Sequence, residues 1–216
     1  MRQRNKPWAK EKLHEYKDIV ISEPENQKGN WHEIFNNNNP IYIEVGTGKG
    51  QFISQMAKKN PDGNFIGIEL SASVIVTALD KVLETEVENV RLLNVNAEKL
   101  TDYFSESEIS RVFLNFSDPW PKNRHEKRRL MYSDFLSVYE TILKPEGEVH
   151  FKTDNQALFE YSIYSFSNYG MIIKNVSLDL HKSDFENNVM TEYEEKFSEK
   201  GNRIYRCEAQ FRNKAR

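Results

Sequence analysis

The 216-residue sequence predicts an α/β protein with a doubly wound, mostly parallel seven-stranded sheet and one antiparallel edge strand. Three observations carry that expectation. From residue 41 onward, short apolar runs alternate with stretches of helical periodicity, which is the pattern of βαβ crossovers. The last two apolar runs, 171–180 and 203–211, have no obvious helix between them, so they are expected to pair antiparallel at the sheet edge. Leu, Ile, Val and Phe together make up about a quarter of the chain, above the roughly one-fifth below which burial cannot offset ordering entropy.

The elements follow in order. Residues 1–40 read as a basic N-terminal extension, punctuated by loops at 22–30 (SEPENQKGN) and 36–40 (NNNNP). IYIEVG (41–46) is a strand running into a glycine-rich turn, and QFISQMAKKN (51–60) is a helix closed near Pro61. NFIGIEL (64–70) is the second strand. The helix over 72–84 carries Ile75, Leu79, Val82 and Leu83 at helical spacing. VRLLNVN (90–96) and RVFLNFSD (111–118) are the third and fourth strands. Met131, Phe135, Val138 and Ile142 lie on one face of a helix over 128–143, stopped by KPEG (144–147). EVHFKTD (148–154) is the fifth strand, and Phe159, Ile163 and Phe166 mark the helix after it. The sequence shows no internal repeat, and residues 41–216 are expected to form one domain.

Composition removes several classes of function. No apolar run approaches the ~18 residues of a membrane span, and no hydrophobic stretch follows the basic start, so neither a membrane segment nor a secretory signal is expected. The single cysteine, Cys207, has no intrachain disulfide partner, and the five histidines show no ligand spacing, so no metal is expected. These features point to a cytoplasmic protein. The net charge of −3 hides a segregation. Residues 1–17 hold six Lys/Arg against two Glu, residues 122–129 five against one, and residues 203–216 five against one. With a screening length of roughly 8 Å, a polyanion meets such clusters rather than the total. The internal cluster, KNRHEKRR, directly follows the most specific motif of the chain and reads as a phosphate-binding segment.

In open α/β sheets, ligands bind beyond the carboxyl ends of the strands. The first strand end holds Glu44, Gly46, Gly48 and Gly50 in E-V-G-T-G-K-G. Its G-x-G-x-G spacing departs from the dinucleotide fingerprint, because position 51 is Gln. A carboxylate beside the loop repels pyrophosphate and suits a cationic amino group, which favours S-adenosylmethionine over a dinucleotide. The second end supplies Glu69, an acceptor for both ribose hydroxyls, and the third supplies Asn96, an amide able to pair with an adenine edge. The fourth is F-S-D-P-W-P-K (116–122), where two prolines stiffen the strand exit that carries Asp118 and Trp120.

These motifs resemble the bacterial tRNA (guanine-N7-)-methyltransferases over nearly the whole chain. The likeness rests on E-V-G-T-G-K-G, G-I-E (67–69), N-A-E (96–98), S-D-P-W-P-K-x-R-H-x-K-R-R (117–129), F-K-T-D (151–154) and T-x-Y-E (191–194). It implies a class I methyltransferase, Rossmann-like fold, with S-adenosylmethionine as methyl donor and tRNA as partner. Glu44, Glu69, Asn96 and Asp118 match the family's S-adenosylmethionine contacts, and Asp118 also matches its catalytic residue. Lys122, Asp154 and the segment Thr191, Glu192, Tyr193 and Glu194 match its substrate contacts. Arg124, His125, Glu126, Lys127, Arg128 and Arg129 match its RNA-binding segment. The implied product is 7-methylguanosine at guanine 46 of the tRNA variable loop. Homodimerisation stays open, and no obligatory protein partner is expected.

Guanine N7 carries a lone pair and no proton, so attack on a sulfonium methyl needs no general base. Alignment and electrostatics should supply the catalysis. A carboxylate that accepts from guanine N1–H and N2–H rejects adenine, and Glu194 or Asp154 suits that task. Trp120 or Tyr193 suits stacking on the base. Two alternatives remain at this level. A small-molecule methyltransferase leaves the basic clusters without a task, and a non-catalytic RNA-binding module leaves Glu44, Gly46 and Asp118 without one.

Overall fold

The computed structural model describes residues 6–212. Arg2 and Arg4 of the first basic cluster and Lys214 and Arg216 of the third lie outside the described residues. Two compact units divide the chain, Met1–Ser105 and Glu106–Arg216.

In the first unit, β1 (Ile41–Val45), β2 (Asn64–Ile68) and β3 (Val90–Leu93) run parallel in the order β3-β2-β1. The connections are the helices α3 (Gln51–Lys59) and α4 (Ala72–Thr85). All five residues of β2 are buried, as a central parallel strand requires. Val74, Ile75, Ala78, Leu79 and Val82 form the buried stripe of α4. The N-terminus of α3 approaches α4 so closely that a Cβ on Gly50, at φ +86°, would lie 2.8 Å from both Cα and Cβ of Ala78. Only glycine satisfies both the left-handed backbone and that contact.

The N-terminal extension is an integral part of this unit. The helix α1 (Ala9–Glu15) buries Ala9 and Leu13 in the same apolar cluster as α4, and Lys12 pairs with Asp80. Val20 makes an isolated parallel bridge to Leu92 on β3. The helix α2 (Trp31–Phe35) buries Trp31, whose Nε1 donates to the Tyr103 carbonyl (3.0 Å) in α5 (Leu100–Tyr103).

In the second unit, β4 (Ile109–Asn115), β5 (Leu143–Thr153), β6 (Ile172–Ser177) and β7 (Tyr205–Gln210) lie in the order β4-β5-β7-β6. β4 and β5 are parallel, and β7 runs antiparallel to both β5 and β6. The antiparallel pair expected from the last two apolar runs is therefore present, with β6 outermost and β7 one place inside it. The helices α6 (Ser133–Ile142) and α7 (Gln156–Tyr169) complete the crossovers. The acidic insertion before β7 holds a further short helix, α8 (Glu192–Ser198).

The third and fourth strands end at Leu93 and Asn115, short of the expected 96 and 118, and two further boundaries differ for a visible reason. The helix expected from residue 128 begins at Ser133, because Arg129 is extended (ψ 131°) and its side chain turns back to bond carbonyls upstream. KPEG ends α6 as expected, yet β5 already begins at Leu143. Leu143 pairs with Ile109 and regular pairing resumes at Arg111↔Glu148, so residues 144–147 bulge out of the ladder.

Candidate functional site

The first unit supplies the glycine turn and its carboxylates. Glu44, next to last on β1, is 1% exposed and its Oε2 accepts from Thr47 Oγ1 at 2.6 Å. The amides of Gly46 and Thr47 both donate to the Ile68 carbonyl (2.8 and 2.9 Å), folding the turn over the end of β2. Gly46 has φ +78°, and a Cβ placed on it would meet nothing within 4 Å. Open space over a left-handed turn is what close approach of a ligand requires. Glu69, directly after β2, accepts from Gly48 N (3.3 Å) through Oε2 and from Ser71 N (3.0 Å) through Oε1. Its carboxylate therefore joins the glycine turn to the start of α4. Asn96 acts locally: Oδ1 accepts from Glu98 N (3.0 Å) and Nδ2 donates to Glu98 Oε2 (3.1 Å). Two carboxylates beside an open glycine turn fit a ligand carrying an ammonium group and a ribose diol, which is the chemistry of S-adenosylmethionine.

The second unit supplies the Asp-Pro-Trp-Pro turn. Two non-glycine residues here take left-handed backbone, Phe116 (φ +51°) and Trp120 (φ +41°), and such strain concentrates at functional turns. The Phe116 amide donates to the Lys152 carbonyl (2.8 Å), fixing where the chain leaves β4. Asp118 projects into solvent from this turn, as do Lys122, Arg124, Lys127 and Arg128. The expected RNA-binding run is thus not uniform. Arg128 lies over the Trp120 ring (4.9 Å to the centroid) and His125 meets it edge-on (5.7 Å). Arg129 donates to Pro119 O and Trp120 O, and Glu126 accepts from Tyr161.

Asp154, just after β5, accepts from Tyr193 OH and Asn202 Nδ2, each at 3.3 Å. Burial first, then the Asp154 charge, push the Tyr193 phenol up, so it remains a donor. The Tyr193 ring stacks on Phe197 (4.2 Å) and leans on Phe116 (5.1 Å), yet it remains 42% exposed. Asp154, Tyr193 and the start of the Asp118 turn are therefore brought together. Thr191 is the N-cap of α8, its Oγ1 accepting from Glu194 N at 3.0 Å, and Glu192 opens the helix.

Glu194 departs from the expectation that it presents a carboxylate to guanine. It is fully buried; Oε2 accepts from Lys152 Nζ (2.6 Å), and Oε1 accepts from Asn188 Nδ2 (2.6 Å) and His181 Nε2 (3.0 Å). Lys152 Nζ also donates to Asn188 Oδ1 (3.0 Å) and Val189 O (2.8 Å). Both charges are satisfied within the protein, so Glu194 ties the insertion to β5 and Asp154 is the carboxylate that remains accessible. Sequence reading missed Lys152, Asn188 and His181; Lys152 stands inside F-K-T-D, two residues before Asp154.

A second cluster joins Glu148, His150 and Glu208, whose ligand-type atoms lie within 4.8 Å of one another. The β5–β7 register creates it, pairing His150 with Glu208, and sequence spacing conceals it. Its two carboxylates are already met by Arg111, Lys174, Arg206 and Asn175, an ion-pair network. The His150 hydrogen bond, with Lys174 and Arg111, holds Glu148 down to about 2.

The family described as "Putative methyltransferase" matches residues 38–207. A tRNA (guanine-N(7)-)-methyltransferase of Geobacillus sp. (strain WCH70) is 66% identical over 211 residues, covering 98% of this chain and 96% of the relative. Its counterpart from Bacillus subtilis (strain 168) is 62% identical over 212 residues, covering 98% and 100%. Among solved structures, the 16S rRNA methyltransferase KamB superposes with TM-score 0.62 at 12% identity, covering 85% of this chain and 93% of that one. An antibiotic-related methyltransferase gives TM-score 0.60 at 18% identity, covering 84% and 92%. These likenesses establish the Rossmann-like methyltransferase fold expected from the strand and helix order. The chain belongs to the tRNA (guanine-N(7)-)-methyltransferase family.

Proposed function

We propose that this chain transfers the methyl group of S-adenosylmethionine to N7 of a guanine in tRNA, at position 46 of the variable loop. The observation that carries the reading is the 116–129 segment, where an exposed Asp118 on a strained, pinned turn is followed at once by exposed Lys122, Arg124, Lys127 and Arg128. A carboxylate for a cationic purine and cations for phosphate are thereby offered in one stretch. Relatives named for this activity, 60–66% identical over nearly the full length, support it.

When bound, S-adenosylmethionine supplies an electrophilic methyl on sulfur. Glu44 provides fixed negative charge toward its ammonium group, and Glu69 accepts from its ribose hydroxyls. Gly46, Gly48 and Gly50 give the backbone room, and Asn96 borders the adenine. Asp118 stabilises the positive charge that develops on the imidazole ring of guanine as N7 is alkylated, and no residue needs to take a proton in that step. Asp154 accepts from guanine N1–H and N2–H, and Tyr193 offers the ring for stacking. Lys122, Arg124, Lys127 and Arg128 bind phosphate.

The reading takes residues 41–216 as one methyltransferase domain acting in the cytoplasm without a metal or an obligatory protein partner. Among the described residues, no helix is long and apolar enough to cross a membrane. Incubation of the purified chain with unmodified tRNA and methyl-labelled S-adenosylmethionine, followed by nucleoside digestion, tests it. Label in 7-methylguanosine is expected; label in another nucleoside, or none, refutes it.

A further inference from the structure

Arg129 belongs to a run that the sequence assigns as a whole to RNA, yet its guanidinium is turned toward the protein. Nε donates to the Pro119 carbonyl (3.2 Å) and Nη2 to the Trp120 carbonyl (3.1 Å). The guanidinium lies 4.2 Å from the centroid of the Tyr161 ring on α7. The two carbonyls bracket Trp120, a left-handed residue (φ +41°) whose backbone strain must be offset by its surroundings. At the other end of the same turn, Phe116 is also left-handed and its amide is pinned to Lys152 O. Asp118 stands between these two fixed points. Arg128 and His125 then pack on the Trp120 ring that the fork holds in place.

We propose that Arg129 is a positioning residue: its two-pronged bond to Pro119 and Trp120, backed by Tyr161, fixes the turn that aims Asp118, and it does not bind tRNA phosphate. A planar guanidinium spans two adjacent carbonyls, whereas an ammonium is a point donor that reaches one, so lysine does not replace it. The basic run is thereby divided. Arg124, Lys127 and the charge of Arg128 face the polyanion, and Arg129 holds the platform. This inference rests on the proposed tRNA methylation for its consequence in catalysis, but its geometric content concerns the free protein.

The test compares wild type with Arg129→Lys, Arg129→Ala and Lys127→Ala by three measurements. These are hydrogen exchange of the peptide spanning 114–122 in the free protein, the slope of log tRNA affinity against log salt, and kcat at saturating tRNA. For both Arg129 variants, exchange in that peptide rises at least tenfold, kcat falls at least tenfold, and the salt slope stays at the wild-type value. For Lys127→Ala the slope falls by about 0.7–0.9, the loss of one phosphate contact. A fall of that size in Arg129→Ala overturns the proposal whatever the rate does. Unchanged exchange overturns it too, as does a wild-type kcat in Arg129→Lys. If Arg129→Ala fails to fold, Arg129→Lys alone decides, since it keeps charge and length. If the wild type neither binds nor methylates tRNA, the functional reading fails, and exchange still decides the role of Arg129.

Discussion

The Lys152–Glu194 pair makes a demanding test, because the structure specifies both the cost of breaking it and the way to reverse that cost. Glu194 is 0% exposed and Lys152 5% exposed, and Lys152 donates to three acceptors. Lys152→Met leaves a buried carboxylate without its cation, and Glu194→Met leaves a buried ammonium without its anion. Each costs about 3–5 kcal/mol, the usual penalty for an uncompensated buried charge. The double variant leaves no unmatched ion. It still strands Asn188, His181 and the Val189 carbonyl, each worth roughly 1 kcal/mol as a lost neutral hydrogen bond, so its expected cost is about 2–4 kcal/mol. The double-mutant cycle therefore closes with a coupling of at least about 2 kcal/mol, well outside the ~0.5 kcal/mol of independent sites. Urea titrations at pH 7 and about 15 °C, near the usual stability maximum, read these values. The folded double variant also regains methylation relative to either single variant, since Tyr193 and Asp154 keep their places. Additive single effects, or a stable double variant as inactive as Glu194→Met alone, would refute the reasoning and return Glu194 to direct contact with guanine.

Other expectations follow from single positions. Asp118→Asn removes charge from an exposed side chain, so methyl transfer falls at least ~100-fold while the melting temperature moves by less than about 2 °C, read by labelled-methyl kinetics and calorimetry. Gly50→Ala forces a Cβ to 2.8 Å from Ala78 at φ +86° and costs about 3 kcal/mol in urea, whereas Gly46→Ala, at φ +78° with open space above it, costs about 1 kcal/mol. Glu148 has a folded pKa of about 2 against an ordinary value of 4.5, so its contribution is complete above about pH 4.5 and is lost as pH falls toward 2. After solvent screening that contribution is about 1–2 kcal/mol, and Glu148→Gln should flatten the decline measured by urea titration between pH 5 and 3. Burial lowers the His150 pKa, which adds loss of stability as pH falls below about 6.5, and His150→Phe should remove that part together with the share of the Glu148 contribution that rests on the His150 hydrogen bond.

Much of this architecture is legible in periodicity. The parallel strands, α3, α4 and α7 fall where apolar spacing puts them, because their faces are buried by that same spacing. The short elements are another matter. α1 and α2 are too brief for periodicity to distinguish them from loops, and contacts with α4 and Tyr103 stabilise them. α8 did have a local signal: T-E-Y-E places Thr at the N-cap and Glu three residues on, the spacing of a capping box. Its Glu194 breaks the pattern by reaching Lys152 rather than back to the cap, a contact 42 residues away that no local reading contains. The same holds for Arg129, whose charge assigns it to RNA while its bonds face Pro119 and Trp120. Among the candidate residues, Glu44 and Glu69 stand beside the glycine turn near the ends of β1 and β2, where motif spacing points, and Asp118 stands exposed on the turn that follows β4. The division of the later motifs into presenting and supporting residues depends on burial, which only the packed structure contains.

Two synthetic tRNAs that differ in one atom put the proposed chemistry to the strictest test. One carries guanine at position 46 and the other 7-deazaguanine, which keeps the Watson–Crick edge and the ring shape but replaces N7 with a C–H. Both should bind with the same affinity, and labelled methyl should enter the first and be absent from the second. Equal label in both tRNAs would contradict attack by N7 of that guanine.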